Sequence, residues 1–106
     1  MTNNIKIGGL IYNVNYCEEL FTEQNFKMFG EIDYEKLVIN ICQKYPRQRQ
    51  SQTILHEIIH GVNDHIGADQ NENSVELFTN VLYSTIIDNK EFFKEMIDNG
   101  SRKPNK

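Results

Sequence analysis

Two of the chain's three histidines, His56 and His60, stand four residues apart, and a glutamate, Glu57, directly follows the first. In a helix, one turn brings both imidazoles onto the same face, one above the other. Ring nitrogens at that spacing can share one zinc ion at about 2.0–2.1 Å each. Glu57 falls about 100° further round the helix. That is too far for an easy third ligand but within reach of a water at the metal, where a general base for metal-assisted hydrolysis belongs. The run His56-Glu57-Ile58-Ile59-His60 therefore points to hydrolytic zinc chemistry, provided that the chain supplies a helix and a third ligand.

The surrounding pattern predicts the helix. Proline is tolerated in a first helical turn, so Pro46 can open it. Gly67 can close it after about His65, because glycine takes the left-handed conformation at a helix end. At about 100° per residue, Ile54, Leu55, Ile58, Ile59, Val62 and Ile66 fall within an arc of about 140°. Thr53, His56, Glu57, His60 and Asp64 fall opposite. The expectation is that the apolar stripe anchors the helix to a sheet while the histidine face looks into a polar or open cleft.

A catalytic zinc commonly takes three protein ligands and leaves one position for water. The longer pattern HExxHxxGxxH is not met, since Asn63 and Ile66 stand where a glycine and a third histidine would be. His65 comes one position early, about 140° round the helix from His60, and is expected to be exposed near the helix end. The better candidates lie in a second helix expected over about Ser74–Asp88, with Asn71 or Asn73 as its N-cap. There Glu72 and Glu76 are one turn apart and share a face with Tyr83, while Val75, Phe78, Leu82 and Ile86 mark the core side. Glu72 sits at or before the helix start, where a carboxylate is favoured with no metal at all. Glu76 lies inside the helix, where its position is better fixed, and is the preferred third ligand. Tyr83 could stabilise the oxyanion of a tetrahedral intermediate.

The elements that must position these groups are read as an α+β fold. Ile5 to Tyr16 combines β-branched and aromatic residues, interrupted by a bulge or bend at Gly8-Gly9. Phe26–Ile32 and Lys36–Cys42 are expected to form a hairpin around Asp33-Tyr34-Glu35, with Leu37 to Ile41 as a well-covered strand. The prediction is an antiparallel N-terminal sheet of about three strands, then the two ligand-bearing helices and a short last helix over Glu91–Asp98. Residues 1–99 are read as a single domain, which the length of 106 residues suits, and 100–106 as a disordered tail.

Composition narrows the function. The formal net charge is −4 and the basic residues are scattered, unlike the footprint of a nucleic-acid binder. The N-terminus lacks a signal-peptide pattern, and no apolar stretch approaches the roughly 20 residues that cross a bilayer. Cys17 and Cys42, 25 residues apart, read as free thiols in a reducing, cytoplasmic setting.

The run Thr53 to Gly61, followed by Glu76-Leu77-Phe78-Thr79-Asn80, resembles the ImmA/IrrE-type metallopeptidases and their short phage-encoded relatives. In those proteins a glutamate four residues before an asparagine follows the HExxH helix. Gly30 to Tyr34 and Val38 to Ile41 are similar to the strand pair ahead of that helix, so the resemblance covers roughly residues 5 to 90. It implies a small zincin-like fold of the gluzincin kind, with zinc ligands His56, His60 and Glu76. It also implies Glu57 as acid/base and Asn80 as a residue supporting Glu76. The resemblance further implies a cytoplasmic role on phage or mobile elements, where larger members act on DNA-binding repressors. Thr79 stands where an alanine is usual, and the extra domains of larger members are missing.

The expected activity is a zinc-dependent endopeptidase with a narrow protein substrate, such as a repressor or host factor. The alternative is a phage or mobile-element protein that uses the scaffold to bind a host or regulatory protein without turnover. The intact Glu57 favours the enzyme, and the short chain favours the binder.

Overall fold

The computed structural model describes residues 2–69 and 71–100; the expected tail beyond Gly100 lies outside the described residues. Its first event is a tight hairpin. Strands β1 (Asn4–Ile7) and β2 (Leu10–Cys17) pair antiparallel across Gly8 and Gly9. These have φ of 56° and 91°, the left-handed conformations that a two-residue hairpin needs and glycine adopts freely. The glycine pair thus divides the first apolar run into two strands.

The second hairpin joins β3 (Gly30–Asp33) to β4 (Val38–Cys42). Its turn is closed by the Asp33 carboxylate, which accepts from the backbone N–H of Glu35 and Lys36 at 3.0 and 2.9 Å. The strand begins only at Gly30, not at Phe26. The residues before it turn through Asn25, whose φ is 70°.

The sheet has four strands in the order β1-β2-β4-β3, with β2 and β4 parallel. This corrects the expected three-stranded antiparallel sheet. The apolar strand β4 takes an inner position, as its composition requires, and the connection from β2 carries the chain past it so that β3 becomes an edge. Ile7, Tyr12, Val14, Ile39 and Ile41 form the buried core, with Ile5, Tyr16, Ile32, Leu37, Ile54 and Ile58 packed against it. On the other face a polar row runs from Asn15 through Asn40 to Glu31, linked at 3.0 and 2.9 Å. Cys17 and Cys42 are register neighbours in β2 and β4, and both are free.

Helices α1 (Arg47–Ile66), α2 (Glu72–Asp88) and α3 (Lys90–Asn99) complete a small α+β domain. Gly67 ends α1 at φ 72° as expected, and the Asn71 side chain caps α2 by accepting from the N–H of Ser74. Among the described residues no helix is long and apolar enough to cross a membrane.

The orientation of α1 overturns one expectation. Its buried stripe is Gln50, Thr53, Glu57, His60 and Gly61, whereas Val62 and Ile66 are exposed. The polar face, not the centre of the apolar arc, lies against the sheet. Ile54 and Ile58 reach the core from its flank. Two glycines permit this close seat. A Cβ on Gly61 would stand 2.6 Å from Ile7 Cδ1, and one on Gly30 would stand 2.6 Å from Thr53 Cγ2 and 3.0 Å from the Asn40 carbonyl.

Gly30→Ala should therefore push α1 off the sheet edge. The expected loss is about 1–3 kcal/mol of stability, the usual cost of overpacking, seen as a fall of several degrees in the midpoint of thermal unfolding.

Candidate metal centre

Helices α1 and α2 run antiparallel, and three side-chain contacts define their register. The Gln52 side-chain amide donates to Asn80 Oδ1 at 2.7 Å, His56 Nδ1 stands 3.7 Å from Glu76 Oε2, and His60 Nε2 is 2.9 Å from Glu72 Oε2. Each contact is one helical turn from the next, so the pair meets as a ladder. The link between the helices is short, and the Asn71 cap fixes where α2 begins. Together they bring the first turn of α2 opposite His60.

One carboxylate joins both histidines. Glu72 Oε1 lies 2.7 Å from His56 Nε2, and Oε2 lies 2.9 Å from His60 Nε2. Carboxylate oxygens accept, so the imidazole nitrogens donate in this arrangement. The two rings meet edge to face with centroids 4.8 Å apart. His56, His60 and Glu72 each offer one ligand atom within 4.8 Å of the others and could hold a metal ion.

The sequence-predicted residues divide as follows. His56 and His60 converge as expected. Glu76, expected as third ligand, is replaced in the converging group by Glu72. It sits instead behind His56, on the ring nitrogen that does not face Glu72. Asn80, expected beside Glu76, pins the helix pair through Gln52 one turn further on. Tyr83 shares this face of α2 but does not line the cleft; Tyr34, from the β3–β4 turn, does. His65 lies apart, its ring against the Gly8 turn. A helical wheel places Glu72 and Glu76 on the same face, so only the register of the two helices could separate their roles.

Glu57 is buried against the sheet at 5% exposure. Burial pushes its carboxyl up to about 7; the neighbouring His60 opposes that rise, and Glu72, Glu31 and Glu76 add to it. Its side chain opens onto a cleft of about 470 Å³ bordered by β3, α1 and α2. A nearly buried carboxyl is costly to keep charged, and perturbed groups of this kind concentrate at functional sites.

The raised carboxyl has a measurable consequence. The folded chain holds a proton that the unfolded chain releases between the ordinary 4.5 and about 7, so stability falls as pH rises through that window. In chelator-treated protein, Glu57→Gln should be more stable than the parent at pH 8 by on the order of 3 kcal/mol. That advantage should vanish below about pH 4.5. Denaturant unfolding across the pH range checks it.

No protein-family model, no curated protein and no solved structure matches this chain, so its functional reading rests on the residues of the site.

Proposed function

We propose that the protein is a zinc-dependent metallohydrolase, an endopeptidase with a narrow protein substrate, built on a small zincin-like domain. The observation that carries this reading is the convergence of two imidazoles on one carboxylate beside the buried Glu57. Two ring nitrogens and a carboxylate oxygen are a donor set that zinc takes at hydrolytic centres. His56, His60 and Glu72 would hold the ion, which when bound supplies Lewis acidity toward a carbonyl oxygen and toward water.

The chain's own residues account for the remaining work. Glu76, 3.7 Å behind Nδ1 of His56, sets the orientation of that ring, as carboxylates behind ligating histidines commonly do. Glu57 takes a proton from the attacking water and passes it to the leaving amine. A carboxyl poised near neutrality can serve in both directions. The cleft runs beside β3, an edge strand of the sheet. Its outer backbone groups can pair with an extended peptide, which favours a peptide over a small-molecule substrate. The resemblance to ImmA/IrrE-type enzymes makes a cytoplasmic regulatory protein, a repressor or host factor, the proposed target.

One observation favours the second reading, a binding protein without turnover. Leu77, Phe78 and Val81 of α2 and Phe92, Met96 and Ile97 of α3 are all exposed. α3 buries no residue. Apolar surface of this kind marks protein interaction sites, and an enzyme could use it as well to hold its substrate.

Metal binding and turnover separate these possibilities. Protein purified without added metal should carry close to one zinc per chain, lost in His56→Ala and His60→Ala. Glu72→Gln should weaken zinc by more than 100-fold in a competition titration, and Glu76→Gln by about 10-fold, the lower end for a residue behind a ligand. Glu57→Gln should retain zinc and lose cleavage. A biological effect that survives Glu57→Gln would instead support the binding protein, and absence of metal from the parent would remove the reading.

A further inference from the structure

The cleft lining carries both signs of charge. Glu57, Glu72 and Glu76 accompany the histidines and Glu31 projects from β3, whereas Arg49 and Lys27 line the wall together with Phe29. Arg49 precedes His56 by seven residues in α1. It therefore lies on nearly the same helical face, about 10 Å away along the axis.

Arg49 is held in place and left available. Its guanidinium carbon sits 4.7 Å from the centroid of the Phe29 ring, and Phe29 is itself braced edge-on by Tyr45 at 4.7 Å. This contact seats the guanidinium against the ring, and its N–H groups can donate to a ligand. Among the described residues no carboxylate lies within ion-pair distance of it. The start of α1 adds to the same field. Pro46 provides no side-chain cap, and the first turn contains no acidic residue, so the positive end of the helix is uncompensated there.

We propose that Arg49 is a specificity-determining residue that receives a carboxylate of the bound peptide, about three residues from the bond that is cut. The spacing follows from the helix. Seven residues of α1 separate the Arg49 and His56 backbones by about 10 Å, and an extended peptide lying alongside at about 3.3 Å per residue covers that length in about three residues. A guanidinium fork matches a planar carboxylate with two parallel hydrogen bonds. An aspartate or glutamate side chain and a free C-terminus supply the same chemistry. This assignment rests on the peptidase reading.

The test uses the zinc-loaded Glu57→Gln protein to retain peptides from two randomised synthetic libraries, one with free and one with amidated C-termini. Retained peptides should be enriched in Asp or Glu at one position in both libraries if a side chain is read. Retention of free-terminus peptides regardless of side chain, with no retention from the amidated library, means that the end carboxylate is read. Adding Arg49→Gln should weaken the selected peptides by about tenfold or more, the loss of a charge-assisted pair, and Arg49→Glu should shift selection toward Lys and Arg. Arg49 is exposed, and a thermal melt will verify that both variants fold. Peptides retained without carboxylate preference, or a preference unchanged by Arg49→Glu, would overturn the assignment alone. If the zinc-loaded parent neither retains nor cuts peptides, the peptidase reading falls and takes this assignment with it.

Discussion

The antiparallel register between α1 and α2 is the constraint on which the site depends. Three successive turns of α1 present Gln52, His56 and His60, and each meets a polar partner on α2. A slip of one turn would set His56 opposite Asn80, or else leave His60 with no partner from α2 while His56 faces Glu72 alone, and either way the convergence on one carboxylate is lost. The register is held at one end by the Asn71 cap and the short link behind Gly67, and at the other by the bond between Gln52 and Asn80. Neither device touches the chemistry directly. Both act by fixing where the first turn of α2 falls, which is what lets a residue at a helix end serve as a defined partner.

A second constraint is the seat of α1 on the sheet. Burying Thr53, Glu57 and His60 rather than the centre of the Ile-Leu arc opposes the usual preference of apolar groups for the interior. The packing compensates through Ile54 and Ile58, which reach the core from the side, and through the glycine contacts that let the helix lie close. The outcome is a helix whose Glu57 and His60 side chains face inward beside an edge strand, while part of its apolar surface is exposed. Violations of this kind, in which local preference gives way at one place, are expected where function is built. The hydrophobic residues left outside on α2 and α3 extend the same imbalance.

Much of the arrangement follows from local rules and was legible in the chain itself. The i, i+4 spacing of His56 and His60 puts both imidazoles on one helical face beside Glu57. Gly67 and Asn71 mark helix ends through their own backbone and side-chain preferences, and the Gly8-Gly9 pair interrupts the first strand. Each of these depends on residues within a turn or two of one another, so neighbouring sequence suffices to determine it.

Tertiary structure alone decided the rest. The buried face of α1 depends on what the sheet offers it, and its apolar arc pointed elsewhere. The parallel pairing of β2 with β4, and hence the place of β3 at an edge beside the cleft, depends on how a long connection crosses the sheet. That Glu72 rather than Glu76 joins both histidines, and that Tyr34 rather than Tyr83 lines the cleft, follows from helix register and turn placement. Periodicity gives the direction in which a side chain leaves its own helix; which group it meets is fixed by contacts between segments far apart in the chain, and those carry no local signature.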